Sequence, residues 1–129
     1  MGKQSILVID DEDDIREVAQ LSLEMVGGWQ VLLASSGEAG FNLAVKEKPD
    51  AILLDVMMPE MDGVQTFRQL KADRSTEPIP VIFLTAKVLS ADQRKFTDLG
   101  VTGIIAKPFD PMSLAHKVAE TLGLSLIHI

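Results

Sequence analysis

The sequence has 129 residues, a net charge of -7 and 47% apolar residues, which predicts one domain with a substantial core. It contains no cysteine, so disulfides, thiolate metal sites and a cysteine nucleophile are excluded, and its acidic balance argues against direct nucleic-acid binding. No apolar run suits a membrane span and no signal sequence is recognisable, so we expect a cytoplasmic protein with no membrane partner.

Short apolar runs rich in Val, Ile and Leu predict five β-strands buried on both faces. They are Ser5 to Ile9, Val31 to Ala34, Ala51 to Leu54, Val81 to Leu84 and Gly103 to Ala106. Segments with helical spacing separate them, so strands and helices alternate along the chain. This order predicts an α/β fold with a doubly wound, mostly parallel sheet and helices on both faces.

Helix start and stop signals agree with this alternation. In the last helix, Asp110 can cap the amino terminus, Pro111 suits the first turn, and Gly123 ends the helix. The other candidate boundaries are the capping boxes Ser35 with Glu38 and Ser90 with Gln93, the cap Asp62, and the stop at Gly27 and Gly28. The apolar tail Ser125 to Ile129 has no partner in the pattern, and its role stays open.

Polar residues follow the predicted strands where each strand ends. Asp10 and Asp11 follow the first strand, Asp55 the third, Thr85 the fourth and Lys107 the fifth. Taken singly, each can be an ordinary strand terminator. The carboxyl ends of parallel strands meet at one edge of a sheet, so we expect the three aspartates to lie together there.

Three adjacent carboxylates repel one another and require a cation. Oxygen ligands of this kind suit Mg²⁺, which binds one or two carboxylates and keeps several waters. A histidine zinc site is not indicated, because His116 lies in the last helix and His128 in the tail, where we expect ordinary surface or packing roles.

A carboxylate beside a metal, a lysine and a hydroxyl is suited to phosphoryl transfer, which depends on alignment and charge neutralisation. Asp55 is the candidate nucleophile. Lys107 would balance charge on a phosphoryl oxygen and Thr85 would donate a hydrogen bond to another. The predicted product is an aspartyl phosphate.

The chain resembles the receiver domains of two-component response regulators, including the single-domain chemotaxis type, from Ser5 to about Leu122. The matching motifs are Asp10-Asp11, Asp55-Val56-Met57-Met58-Pro59 with Asp62-Gly63, Thr85-Ala86 and Lys107-Pro108-Phe109. The resemblance implies a flavodoxin-like strand order 2-1-3-4-5 and one receiver domain over residues 1–129.

The resemblance also implies Asp55 as the phosphoacceptor, and a Mg²⁺ site formed by Asp10, Asp11, Asp55 and the Met57 backbone carbonyl. Asp11 would bind directly and Asp10 mainly through water, with Glu12 only a neighbour and Pro59 and Gly63 shaping the loop.

This resemblance implies a signalling protein in a phosphorelay rather than a metabolic enzyme, one that catalyses its own phosphorylation and dephosphorylation. The expected phosphodonor is a sensor histidine kinase or a histidine phosphotransfer protein, and the output protein is unknown. Output would pass through the fourth helix, fifth strand and fifth helix. We expect a monomer or a weak dimer.

Two features separate this chain from well-known receivers. Ile104 stands where many receivers have Tyr or Phe, so it cannot signal by rotation of an aromatic ring. Met57 and Lys87 occupy the positions two residues after Asp55 and Thr85, and an apolar Met57 predicts slower dephosphorylation than in chemotaxis-type receivers. Trp29 precedes the second strand, away from the site, and is interpreted as packing.

Two other classes share part of this pattern. A haloacid-dehalogenase-type phosphohydrolase also uses an aspartate nucleophile with magnesium, but it needs a second acid where this chain has Met57. A flavodoxin-like cofactor-binding module needs a phosphate-binding loop after the first strand, where the acidic run Asp10 to Asp14 would repel a phosphate. Both are less favoured than the receiver.

Overall fold

Five parallel strands form the centre of the fold. The computed structural model describes residues 4–56, 63–86 and 90–123, with the side chains of 90–93 excepted. The strands are β1 (Ser5–Ile9), β2 (Gln30–Ala34), β3 (Ala51–Asp55), β4 (Val81–Thr85) and β5 (Gly103–Ala106), in the order β2-β1-β3-β4-β5. The predicted strand order is confirmed. The third and fourth strands each extend one residue beyond the predicted end, so Asp55 and Thr85 are the last residues of their strands.

The helices that connect the strands are α1 (Asp13–Met25), α2 (Gly37–Glu47), α3 (Gly63–Ala72), α4 (Ser90–Leu99) and α5 (Pro111–Leu122). The boundaries of α5 are as predicted: Asp110 accepts a hydrogen bond from the Met112 amide, and Gly123 has a φ of 73°. This left-handed conformation favours glycine at the helix end.

The cap of α2 is one residue later than predicted. Ser36, not Ser35, has an extended backbone and accepts a hydrogen bond from the Ala39 amide at 3.1 Å. Both serines precede the helix, and the glutamate three residues after Ser35 suggested the wrong one. The candidate cap Asp62 and the side chains of the Ser90 with Gln93 box lie outside the described residues, as does the tail 125–129.

The two faces of the sheet bury separate apolar clusters. One lies under α1 and α5 and includes Leu23, Leu114 and Trp29, which is 7% exposed, so the interpretation of Trp29 as packing is confirmed. The other lies on the opposite face, where Phe83 of β4 contacts the rings of Phe67 and Phe96 edge to face. Strands covered on both faces explain the continuous apolar runs in the sequence.

None of the helices within residues 4–56, 63–86 and 90–123 has the length and apolar character of a membrane span.

Candidate functional site

The parallel sheet brings the acidic residues to one edge. Asp10 follows β1 directly, and Asp55 is the last residue of β3, which pairs with β1. One carboxylate oxygen from each of Asp10, Asp11, Glu12 and Asp55 lies within 4.8 Å of the others. The expected meeting of the three aspartates is therefore observed, and Glu12 joins them.

The buried members of this cluster are Asp10 and Asp55, with 0% and 1% of their surface exposed, whereas Asp11 and Glu12 are exposed. Burial of a carboxylate is costly unless it is hydrogen-bonded or paired with a positive charge. Asp10 accepts a hydrogen bond from the Glu12 amide at its Oδ1 atom, at 2.9 Å. A short polar side chain that accepts from the amide two residues later forms a local turn, and this turn leads the chain from β1 into α1.

Lys107 supplies positive charge to both buried aspartates. Its Nζ atom lies 3.0 Å from Asp10 Oδ2, 3.4 Å from Asp55 Oδ2 and 3.5 Å from Glu12 Oε1. Burial alone would lower the pKa of this lysine, but the hydrogen bond that it donates to Asp10 and the charges of Asp10, Asp55 and Glu12 together raise it. Lys107 is therefore held as an ammonium ion against the acidic cluster.

Arg16 is a contributor that sequence reasoning missed. Its Nη1 atom donates to the Asp10 backbone carbonyl at 2.7 Å, and its Nη2 atom pairs with Asp13. Arg16 thereby ties the first turn of α1 to the end of β1. The three-residue spacing of Asp13 and Arg16 in a predicted helix was the available signal for the ion pair.

A cavity of about 370 Å³ opens beside the acidic cluster. It combines charged groups with an apolar wall, and its lining residues are Glu12, Ile15, Asp55, Ala86, Lys107 and Pro108. The peptide bond between Lys107 and Pro108 is cis. A small polar group can therefore reach the Asp55 side of the cluster from solvent.

Thr85 is fully buried at the end of β4, and its backbone carbonyl accepts from the Lys107 amide at 2.8 Å. This bond connects the strand ends that carry the predicted hydroxyl and the predicted cation. Ile104 is half-buried in β5 and lies opposite Phe83 in the strand pairing. Met57 and Lys87 lie outside the described residues, so the predicted metal contact of the Met57 carbonyl stays a prediction.

Gly63 begins α3 against the end of β3. A Cβ atom there would lie 2.5 Å from Val56 Cα and 2.6 Å from the Asp55 carbonyl oxygen. Such distances to backbone atoms require glycine at this position. The loop that Pro59 and Gly63 are predicted to shape includes residues 57–62, which lie outside the described residues, so that role stays a prediction.

Comparison with known proteins decides the family. The sequence model described as the response regulator receiver domain matches residues 6–119 of the chain. The chain belongs to the response regulator receiver family. This membership decides against both the phosphohydrolase and the flavodoxin-like cofactor module.

Several relatives are transcriptional response regulators. The receiver is 38% identical over 122 residues to the phosphate regulon transcriptional regulatory protein PhoB of Pseudomonas aeruginosa, covering 95% of this chain and 53% of that protein. It is also 38% identical over 124 residues to the alkaline phosphatase synthesis transcriptional regulatory protein PhoP of Bacillus subtilis, covering 96% and 50%. The chain thus spans about half the length of the curated relatives it matches.

Solved receiver structures share the fold. The chemotaxis protein CheY4 of Vibrio cholerae matches with a TM-score of 0.86 at 26% identity, covering 93% of this chain and 99% of that one. The receiver domain of the sensor histidine kinase PA1611 of Pseudomonas aeruginosa matches with a TM-score of 0.82 at 28% identity, covering 95% and 99%, and has a magnesium ion coordinated in its active site cleft. Receiver domains act in phosphorelay signalling with histidine kinases and bind Mg²⁺, and this chain has their fold together with an acidic cluster that could hold a metal ion.

Proposed function

We propose that this receiver accepts a phosphoryl group on Asp55 from a phosphohistidine of a sensor histidine kinase or a histidine phosphotransfer protein. The phosphorylated receiver would then change a surface that an output protein recognises. The observation that supports this most is the position of Asp55: its carboxylate lies at a cavity, 3.4 Å from an ammonium group and within a cluster of oxygen ligands.

The transfer would take place at one carboxylate oxygen of Asp55. That oxygen would attack phosphorus, forming an O–P bond as the N–P bond of the donor histidine breaks. The donor phosphohistidine would already carry a proton on its other ring nitrogen, so its imidazole would keep the electron pair of the broken bond and leave as neutral histidine. Lys107 would pair with a phosphoryl oxygen, and the Thr85 hydroxyl would donate a hydrogen bond to another.

The donor set fits magnesium, because it consists of carboxylate oxygens that lie close together and carry more negative charge than Lys107 neutralises. Asp11 and Asp55 would hold the ion directly, Asp10 mainly through water, and the backbone carbonyl of Met57 would complete the protein ligands. When bound, magnesium supplies positive charge that offsets the charge on the phosphoryl oxygens. Asp55 is the last residue of β3 and Asp10 directly follows β1, so the sheet positions both carboxylates.

The same residues would release the phosphoryl group to water. Hydrolysis would break the O–P bond, restore the Asp55 carboxylate and yield inorganic phosphate. The receiver would thus catalyse both the transfer of the phosphoryl group to its own Asp55 and its own dephosphorylation.

Intact-mass measurement tests the proposal. Incubation of the purified chain with acetyl phosphate and Mg²⁺ should add one phosphoryl group, which hydroxylamine removes. The Asp55→Asn variant should gain none, whereas the matched control Asp50→Asn, at the opposite edge of the sheet, should be labelled normally. Equal labelling of Asp55→Asn, or a hydroxylamine-stable product, would contradict an aspartyl phosphate at this position.

A further inference from the structure

Glu12 has a side chain that its place in the helix does not explain. It is the N-cap residue of α1, yet its carboxylate makes no capping hydrogen bond. Its Oε1 atom instead lies 3.5 Å from Lys107 Nζ, and the residue lines the cavity beside Asp55. The carboxylate therefore points to the lysine rather than to the amide groups of its own helix.

Lys107 divides its contacts between two kinds of carboxylate. Asp10, Asp55 and Glu12 all belong to the acidic cluster, but Asp10 and Asp55 are buried, and the proposed function assigns these two to the cation. The Glu12 side chain is 61% exposed and lies at the cavity. Oxygens of Asp10 and Asp55 that serve a metal are less available to an ammonium, since two neighbouring cations also repel each other. The proposed function does not assign Glu12 to the metal, so Glu12 is the partner left to Lys107 when the cation is bound.

We propose that Glu12 is a positioning residue for Lys107: it retains the ammonium at the cavity when a divalent cation engages Asp10 and Asp55. The inference rests on the proposed function, because it assigns Lys107 to the phosphoryl group and the acidic cluster to magnesium. Glu12 touches neither the phosphoryl group nor the metal in this role. It acts by giving Lys107 a partner beside the position where the phosphoryl group would arrive.

The energetics suit an exposed partner. A solvated ion pair between flexible side chains contributes roughly 0.2–1 kcal/mol, so Glu12 can hold the ammonium and still release it to a more highly charged phosphoryl group. A fully buried partner would bind the lysine too tightly for that exchange, because breaking a buried pair leaves an uncompensated charge. The long glutamate side chain also allows the contact to follow Lys107 as it moves.

Magnesium titration of the intact chain by calorimetry tests the role. Glu12→Gln should weaken Mg²⁺ binding by about two- to fivefold, the range that a partly exposed ion pair implies. The control Asp14→Asn removes a charge two residues away on the same helix, without an ion pair to Lys107, and should weaken binding less. Equal effects of the two substitutions would overturn the proposal, since only overall charge would then matter.

A double-mutant cycle separates positioning from direct metal binding. In a Lys107→Met background, Glu12→Gln should change Mg²⁺ affinity no more than Asp14→Asn does, because the partner of Glu12 is gone. An undiminished effect in that background would mean that Glu12 is itself a metal ligand, and the proposal would be wrong.

A second measurement does not depend on the folding of Lys107→Met. The ¹³Cε signal of Lys107, followed by NMR at saturating Mg²⁺, should indicate a restrained side chain in the wild type and a mobile one in Glu12→Gln. Equal mobility in the two proteins would overturn the inference. If wild type binds no magnesium, the proposed function fails. If it binds magnesium but both tests of Glu12 give no difference, only the positioning role fails.

Discussion

The Nζ atom of Lys107 lies 3.0 Å from Oδ2 of Asp10, so the cation that follows β5 is paired with a fully buried carboxylate that follows β1. The two residues are 97 positions apart in the sequence, so the pair connects the segment after the first strand with the segment after the last strand. Lys107→Met should therefore destabilise the metal-free protein by about 2 kcal/mol, less than a fully buried pair would lose because its surroundings are partly solvated. Thermal or urea unfolding in chelator measures this.

Magnesium should reduce that loss, because a divalent cation at the cluster also neutralises Asp10 and Asp55. Lys107→Met should consequently gain more stability from Mg²⁺ than the wild type does. The exposed control Lys95→Met should show neither the loss nor the added response. A Lys107→Met protein as stable as wild type in chelator would mean that the pair contributes nothing to folding.

The two aspartates after β1 should respond differently to loss of charge. Asp11 is exposed and has no part in the ion pairs of Lys107, so Asp11→Asn relieves repulsion and should stabilise the metal-free protein by about 1 kcal/mol. Asp10 is paired with Lys107, so Asp10→Asn removes the attraction to Lys107 as well as the repulsion from the other carboxylates. This substitution should therefore not stabilise the metal-free protein.

Both variants should bind Mg²⁺ more weakly than the wild type. Melting temperatures in chelator and across a magnesium titration check both statements. If Asp10→Asn stabilised the protein as much as Asp11→Asn, the Lys107 pair would be energetically unimportant. If neither variant affected magnesium binding, the acidic cluster would have no role in holding the metal.

Gly63 offers a test of how packing supports the site. Gly63→Ala places a methyl group against Val56 Cα and the Asp55 carbonyl, so α3 must shift away from the end of β3. We expect a loss of roughly 1–3 kcal/mol, as for other overpacked positions, together with weaker Mg²⁺ binding. Gln69→Ala, on the exposed face of the same helix, should change neither the stability nor the Mg²⁺ affinity. Unfolding curves and magnesium titrations of both variants test the predicted losses of stability and of Mg²⁺ affinity.

The cap of α2 distinguishes two adjacent serines. Ser36→Ala removes the hydrogen bond to the Ala39 amide and should cost about 1 kcal/mol, whereas Ser35→Ala should change stability by less than about 0.5 kcal/mol. Urea denaturation of the two variants gives the comparison directly. A larger loss for Ser35→Ala would restore the capping box that the sequence suggested.

Hydrophobic periodicity and spacing predicted most of this fold because the strands are buried on both faces and α5 begins and ends with strong local signals. Asp110 and Gly123 could be recognised from their own neighbours. Ser36 could not be separated from Ser35, since each is followed by polar residues and the choice depends on how the chain leaves β2.

The strand topology predicted which residues meet at the site, but it did not predict the contacts between their side chains. Parallel strands bring Asp10 and Asp55 to one edge of the sheet whatever rotamers their side chains adopt, so their proximity could be predicted from the sequence. The contact of Glu12 with Lys107 depends on the rotamers of two long side chains from distant segments, and no sequence spacing encodes it. The motifs also gave no sign that Lys107 would neutralise Asp10 in the metal-free protein.

The last prediction concerns Thr85, which would couple the phosphoryl group to the rest of the domain. Thr85 is fully buried, so Thr85→Val, which keeps the shape and removes the hydroxyl, tests the hydrogen bond with little change in packing volume. The variant should bind Mg²⁺ and accept a phosphoryl group on Asp55. It should lose most of the change in amide NMR shifts that phosphorylation produces in β4, α4 and β5, because the strand end lacks the group that would follow the phosphoryl oxygen.

The control Thr102→Val, exposed and at the opposite end of β5, should respond as wild type does. A Thr85→Val protein that showed the full set of shift changes on phosphorylation would contradict the coupling role, and one that bound no magnesium would mean that Thr85 supports the acidic cluster instead.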